Sequence, residues 1–469
     1  MKRTKIVCTI GPASQDIQTI RRMIESGMNV ARINFSHGTH EEHLLQMRAV
    51  REASRATGIP IAIMQDLCGP KIRVGEIEGT IELKVGSQVI LSGEDKAESQ
   101  GRIPISHPQL AGDVKRGDRI MLADGEMELR VLDTDGIEVR CEVVVGGELS
   151  SHKGINVPGV SLSVPSVTEK DIRDLEFGLK HGVDWVAVSF VRSAEDILNV
   201  KERIERSGMD VHVIAKMEKH EAVERMDEII TVSDGVMVAR GDLGVEIPLS
   251  DVPVVQKEII RRANEEGKPV ITATQMLQSM IQQPYPTRAE VSDIANAIFD
   301  GTDAVMLSGE TAIGRFPVKS VEVMAEVACK AEEAIDYVGM MEARRMTPEE
   351  DVPDAISHAA CYIALDIGAK AIICCTRSGQ TARLVAKYRP HAPIIAVTPR
   401  ETTLRRLTLM WGVYPFLIEE ISDTDRLIER AKQVALRSCM VSKGDRVVIV
   451  AGLPTDIPGT TNAIKADVL

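Results

Sequence analysis

The sequence predicts an α/β protein: a (β/α)8 barrel, interrupted by a small all-β insertion and followed by a second α/β region. Three observations predict it. Short runs that are apolar on both faces recur between Lys5 and Gly309, as parallel strands buried between layers require. Amphipathic segments of helix length follow most of them. Between positions 71 and 166 this alternation gives way to β-branched, glycine-rich text dense in turn signals. A length of 469 residues allows two or three domains.

The strands read, in order, KIVCTIG from Lys5, VARINFS from Val30, IAIMQD from Ile61, WVAVSF from Trp185, HVIAKM from His212, GVMVAR from Gly235, PVITATQ from Pro269 and AVMLSG from Ala304. The segments from Ser14 to Gly27 and from Ser193 to Gly208 each open on serine and close on glycine, which predicts helices capped at those residues. Pattern alone leaves a doubly wound open sheet as the alternative. The insertion carries the turn signals DTDG, VKRGD, ADGEM and VVGGE. From about Met346 a helix leads into AKAIICCT, APIIAVTP and DRVVIVAG, a further α/β region with its own sheet. The expected division is 1–70 and 167–344 for the barrel, 71–166 for the insertion and 345–469 for the last domain.

Composition narrows the function. Aromatic residues make up 3% and the net charge is -13, so neither a base-stacking platform nor a cationic face for nucleic acid is expected. An anionic substrate has to be caught by local positive charge against the global field. The eight cysteines form no CxxC pair and no Cys/His ligand spacing, which reads as reduced, mostly buried thiols of a cytoplasmic protein. The start, MKRTKIVCTIGP, lacks the apolar stretch of a signal peptide, and no run approaches the length that crosses a membrane.

In a barrel of this kind the chemistry lies at the C-terminal ends of the strands. Those ends carry Arg32, Asn34, Ser36 and His37 on strand 2, Asp66 on strand 3, and Lys216 and Glu218 on strand 5. Strand 6 contributes Gly241 and Asp242, strand 7 Thr272 and Thr274, and strand 8 Ser308 and Glu310. Glu218 and Asp242 come from neighbouring strand ends and suit Mg2+ with room for waters. Lys216 lies two residues before Glu218, so both point the same way, and an amine there stabilises negative charge on a phosphoryl group or an enolate. Gly241 lets a backbone amide approach an anion closely. There is no GxxxxGK[ST], no GxGxxG after a strand and no apparent Ser/His/Asp set, so neither a P-loop nor a dinucleotide fingerprint is present.

Several longer stretches then resemble the pyruvate kinase family: KIVCTIGP, ARINFSHGTHEEH, SHKGINVPG, VMVARGDLGVEIP, the tract from Ile271 to Pro317, and TRSGQTARLVAKYRP. The resemblance spans the chain in order. It implies a TIM barrel with a β-barrel lid and an α/β effector domain, in a homotetramer that transfers a phosphoryl group from phosphoenolpyruvate to ADP, giving pyruvate and ATP. It implies that Glu218 and Asp242 hold Mg2+ or Mn2+, and that Lys216 and Arg32 bind the phosphoryl group. The amides of Gly241 and Asp242, with Thr274, take the substrate carboxylate. Thr274 also lies near the face where carbon 3 is protonated. Asn34, His37, Arg73 and Lys153 face the nucleotide.

Many members also need K+, held among the equivalents of Asn34, Ser36, Asp66 and the carbonyl of Leu67, where they read D-T-K-G-P-E-I-R-T. This chain reads D-L-C-G-P-K-I-R-V, with Lys71 in place of the glutamate, which resembles the K+-independent branch. A tethered ammonium supplies the charge that K+ otherwise brings. After strand 5 this chain has KMEKHEA, so Lys219 and Ala222 replace an asparagine and a glycine common in the family. The loop Thr376, Arg377, Ser378, Gly379, Gln380 and Thr381 is the implied phosphate cradle for an allosteric effector. LPTDIPGTTN, with Asp456, lacks the Trp and Arg of some fructose-bisphosphate-activated members. The residues alone leave two alternatives: a metal-dependent aldolase or lyase of pyruvate enolate, and a catalytically silent effector sensor.

Overall fold

The computed structural model describes residues 2–93, 101–343, 351–454 and 460–469. The expected boundary at 345 and the Asp456 loop lie outside them. Eight parallel strands close into a barrel: Lys5–Thr9, Val30–Asn34, Ala62–Asp66, Trp185–Val188, His212–Met217, Gly235–Ala239, Val270–Ala273 and Ala304–Leu307. Each pairs with its neighbours in sequence order, and Lys5–Thr9 closes the ring against Ala304–Leu307. The open-sheet alternative is thereby excluded.

Residue parity divides the strands into two buried layers. Val7, Val30, Met64, Ala187, Ile214, Met237, Ile271 and Met306 pack together on the barrel axis. Their alternates, among them Cys8, Ala31, Ile63, Val186, Val213, Val236, Val270 and Val305, pack outward against the helices. This two-sided burial is why each strand reads as a continuous apolar run. The helix Ala194–Arg206 begins at Ser193 as expected, with the Asp196 carboxylate accepting from the Ser193 N–H at 3.2 Å. The helix Ile17–Glu25 does not begin at Ser14. Asp16 caps it, accepting from Gln18 and Thr19, while the Ser14 hydroxyl accepts from Gly11. A carboxylate two residues nearer the first turn outcompetes the hydroxyl, because it also meets the positive end of the helix.

The insertion forms a seven-stranded sheet and a two-stranded one. Its edge strands Ile72–Arg73 and Arg102–Pro104 lie at opposite ends of the larger sheet. A Val74–Ile105 bridge and hydrogen bonds from Gly75 to Pro104 (2.7 Å) and Ser106 to Arg73 (2.9 Å) draw them together, so the sheet curls round its own core. The last region is a five-stranded sheet in the order Val413–Leu417, Ile394–Thr398, Ala371–Cys375, Arg446–Gly452 and Thr461–Val468. The last strand is antiparallel to its neighbour. Cys8, Cys141, Cys361, Cys374 and Cys375 are buried, whereas Cys439 is exposed. Among the described residues no helix is long and apolar enough to cross a membrane.

Candidate active site

Strand parity also sets the polar groups at the mouth. On the strands whose Val30, Met64, Ala187 and Ile214 face the axis, the next same-side residues are Arg32, Asp66, Ser189 and Lys216. Asp66 is their hub. It is 1% exposed, and its carboxylate accepts from Arg32 Nε at 2.6 Å and lies 3.2 Å from Lys216 Nζ. Arg32 also donates to the Thr9 hydroxyl at 2.8 Å. Burial pushes Asp66 toward protonation, but Lys216 and then Arg32 outweigh it and hold its pKa below the usual range.

Lys216 Nζ donates to Ser189 Oγ at 2.7 Å and lies 2.8 Å from Glu218 Oε1. Burial works against its charge, yet Asp66 and Glu218 overcome that and hold its pKa above the ordinary lysine value. Glu218 is fully buried. Its Oε2 accepts from the Phe190 N–H at 2.8 Å, and Oε1 is held by the Lys216 ammonium. Burial raises the Glu218 pKa; Lys216 opposes this and the charge of Asp242 adds to it. Two carboxylates at neighbouring strand ends that repel each other fit a divalent cation. No group of three or more His, Cys, Asp and Glu among the described residues could hold a metal. Glu218 and Asp242 would therefore leave several positions to water and substrate, as Mg2+ prefers.

Gly241 and Asp242 lie in the first turn of the helix Arg240–Glu246, which starts directly after strand 6. The Gly241 N–H donates to Thr274 Oγ1 at 2.8 Å. Thr274 and Gln275 hold φ of 69° and 58°, a left-handed conformation that is costly for a β-branched residue. Arg240 holds this turn. It donates to the carbonyls of Thr274 (2.7 Å) and Ala273 (3.3 Å) and to Asp293 (2.7 Å). Sequence reasoning missed Arg240. Its signal was a lone cation between a buried strand and a Gly-Asp pair.

The rim facing the insertion gathers cations. The pKa of His37 is held below the usual histidine value, by burial first and then by Arg73, Lys71, Arg32 and Lys170. Arg73 pairs with Gly154, the residue after exposed Lys153, and donates to the His152 carbonyl at 3.1 Å. Lys71 is half-buried where the chain leaves strand 3, and its N–H donates to the Gly69 carbonyl at 2.9 Å. Gly69 is required there: at φ 67° a Cβ would stand 2.7 Å from the Phe190 ring. Asn34 accepts from the Ser36 N–H at 3.2 Å, and the Leu67 carbonyl accepts from Ser189 Oγ at 2.6 Å.

Lys219 is 7% exposed and forms a 2.7 Å ion pair with Glu246, to which Asn156 of the insertion also donates at 3.4 Å. Glu310 spends its carboxylate on the N–H groups of Leu277 (3.0 Å) and Ser308 (2.8 Å), and Thr272 bonds Thr302 at 2.9 Å. Thr376–Thr381 belong to the last sheet and not to this mouth. There Thr376 Oγ1 accepts from Gly379 at 2.9 Å, and Thr381 meets Thr461 at 2.8 Å.

A closed βα barrel with two buried cations and the carboxylates of Glu218 and Asp242 at its C-terminal mouth has the makeup of a barrel enzyme acting on an anion. The family model for the pyruvate kinase barrel domain matches residues 1–321, and that for the pyruvate kinase alpha/beta domain matches residues 354–466. The chain is similar to the pyruvate kinase of Geobacillus stearothermophilus, 47% identical over 472 residues, covering 100% of this chain and 80% of the relative. It is equally similar to that of Staphylococcus aureus strain MRSA252, 47% identical over 468 residues, covering 99% and 80%. The chain belongs to the pyruvate kinase family. Its activity is that family's glycolytic phosphoryl transfer, which uses phosphoenolpyruvate and ADP and generally needs a divalent metal.

Proposed function

We propose that Lys216 and Arg32 neutralise the phosphoryl group as it leaves phosphoenolpyruvate for ADP, with Glu218 and Asp242 holding Mg2+ or Mn2+. The observation that carries this reading is the shared anchor: one buried carboxylate, Asp66, fixes both cations at the mouth. Phosphoryl transfer requires positioning and charge neutralisation rather than covalent help. When bound, the divalent ion supplies positive charge to the phosphoryl and enolate oxygens. Lys216 then holds the enolate oxygen, while the amides of Gly241 and Asp242 and the Thr274 hydroxyl hold the substrate carboxylate. Carbon 3 takes its proton on the Thr274 side. Asn34, His37, Arg73 and Lys153 face the nucleotide, and the insertion excludes water that would otherwise accept the phosphoryl group. The test is pyruvate formation with Mg2+ or Mn2+, with and without ADP. Formation strictly dependent on ADP is expected; formation without ADP favours an aldolase or lyase, and none at all favours a silent sensor.

The monovalent requirement follows from the same atoms. Asp66 and the Leu67 carbonyl already accept from protein donors, and Lys71 brings a tethered charge to the rim. We therefore read the enzyme as active without K+. The family resemblance further supports a cytoplasmic homotetramer and a phosphorylated effector at Thr376–Thr381. It also supports the division into 1–70 with 167–344, 71–166 and 345–469.

A further inference from the structure

Glu218 and Asp242 lie past the end of the ladder that joins their strands. The last paired residues of strands 5 and 6 are Met217 and Val238. Beyond them the register of the ladder no longer fixes how far apart the two carboxylates stand, and their charges repel.

Lys219 and Glu246 cross-link the same two segments. Lys219 is the residue after Glu218. Glu246 closes the seven-residue helix Arg240–Glu246 and stands one turn from Asp242, on the same face. The Lys219 ammonium and the Glu246 carboxylate meet at 2.7 Å, with side chains 8% and 1% exposed. At that depth solvent screens the pair little. The cavity beside it, lined by Lys71, Asn156, Phe190 and the pair itself, has a volume of about 30 Å³. That admits a water or two and no substrate, so these charges hold protein to protein.

The insertion rests on the same place. Asn156, which is buried, donates to Glu246 Oε1 at 3.4 Å, and Ser161 Oγ donates to Glu221 Oε1 at 2.8 Å. Glu221 and Glu246 flank His220, whose Nδ1 lies 3.0 Å and 3.7 Å from their Oε2 atoms. The pair therefore sits where the metal-holding segment after strand 5, the helix after strand 6 and the return chain of the insertion meet.

We propose that Lys219 and Glu246 are positioning residues for the divalent cation: their buried ion pair holds Glu218 and Asp242 at the separation the ion requires. The proposal rests on the assignment of the metal to Glu218 and Asp242 made above. It gives a role to Lys219, a position at which this chain departs from the family pattern.

The test is Mn2+ binding to the full chain without substrates, read from the electron paramagnetic resonance signal of free Mn2+. The double variant Lys219→Met with Glu246→Leu replaces a buried ion pair by apolar side chains, a change that folds generally tolerate. It removes one charge of each sign, so the local net charge is unchanged and a shift in affinity reports position. The Kd for Mn2+ is expected to rise about tenfold, the usual cost of losing a residue that orients a metal ligand. Excess Mn2+ is then expected to restore turnover, which a general loss of fold would not allow. A Kd within twofold of the parent overturns the proposal, as does turnover that excess Mn2+ fails to restore. If the double variant does not fold, Lys219→Met alone decides. Loss of a positive charge by itself tightens cation binding, whereas loss of the brace weakens it; unchanged or tighter binding overturns the proposal. Asp242→Asn separates the two readings. If it leaves Mn2+ binding intact, the metal assignment fails and the brace falls with it. If it abolishes binding while the double variant binds like the parent, the assignment stands and the brace alone fails.

Discussion

Asp66→Asn removes the charge that both catalytic cations share. At an effective dielectric near 20, the separations of 2.6 Å and 3.2 Å correspond to gross attractions of roughly 6 and 5 kcal/mol. Desolvation of the three groups offsets much of this, and breaking a buried pair of this kind costs about 3–5 kcal/mol net. The amide oxygen still accepts from Arg32, and Lys216 keeps Ser189 and Glu218, so the fold survives but both cations lose their common anchor. A displacement of about 1 Å at the reacting centre costs about a hundredfold in rate. The assay is initial-rate pyruvate formation coupled to NADH oxidation, with circular dichroism to confirm folding. A fall in kcat of about a hundredfold is expected, with the KM for ADP nearly unchanged and no restoration by added KCl. A folded variant with kcat within threefold of the parent refutes the hub, and restoration by KCl shows that Asp66 acts as a monovalent-cation ligand.

Three further outcomes are expected. Arg240→Lys cannot make the three-way contact that holds Thr274 at φ 69°; the KM for phosphoenolpyruvate should rise about tenfold, and an unchanged KM contradicts the clamp. Lys71→Glu should make activity depend on K+ where the parent is indifferent to KCl against NaCl, which a monovalent-salt titration of both enzymes checks. His212, among Arg406, Asp234, Asp210 and Lys201, has its pKa pushed down to about 4 by burial and then by Arg406. A depressed histidine pKa gives stability that is complete above about 6.5 and lost as pH falls toward 4. Thermal melts should therefore show about 1 kcal/mol lost by pH 5.5, and His212→Asn should flatten that segment of the profile.

All eight barrel strands were legible because burial on both faces leaves an apolar run that the sequence displays directly. The pairing of Lys216 with Glu218 was legible because both lie on one side of one strand end. The Asp66 hub was not legible. Asp66 stood out as a strand-end acid, but its partners come from two other strands, and only barrel closure sets their distances. Glu310 had the same signature as Glu218 and turned out to bind backbone N–H groups, since a strand-end carboxylate beside a tight turn satisfies the turn first. In the last domain Val413–Leu417 was missed because Pro415 argues against a strand; it survives at the sheet edge. Thr461–Val468 was missed because its mostly exposed and half-buried residues lack the apolar run of its neighbours. Lys219 was visible as a departure from the family pattern, but its pairing with Glu246 and the link to Asn156 depend on contacts far apart in sequence.

The central claim is that the ammonium of Lys216 stabilises the transferring phosphoryl group and does not merely hold substrate. Rapid-quench measurement of ATP formed in a single turnover by Lys216→Gln tests it most directly, alongside equilibrium binding of phosphoenolpyruvate to the same variant. The account predicts a transfer rate lower by about a thousandfold with phosphoenolpyruvate affinity within a few-fold of the parent. A transfer rate within tenfold of the parent, or a loss confined to affinity, contradicts it.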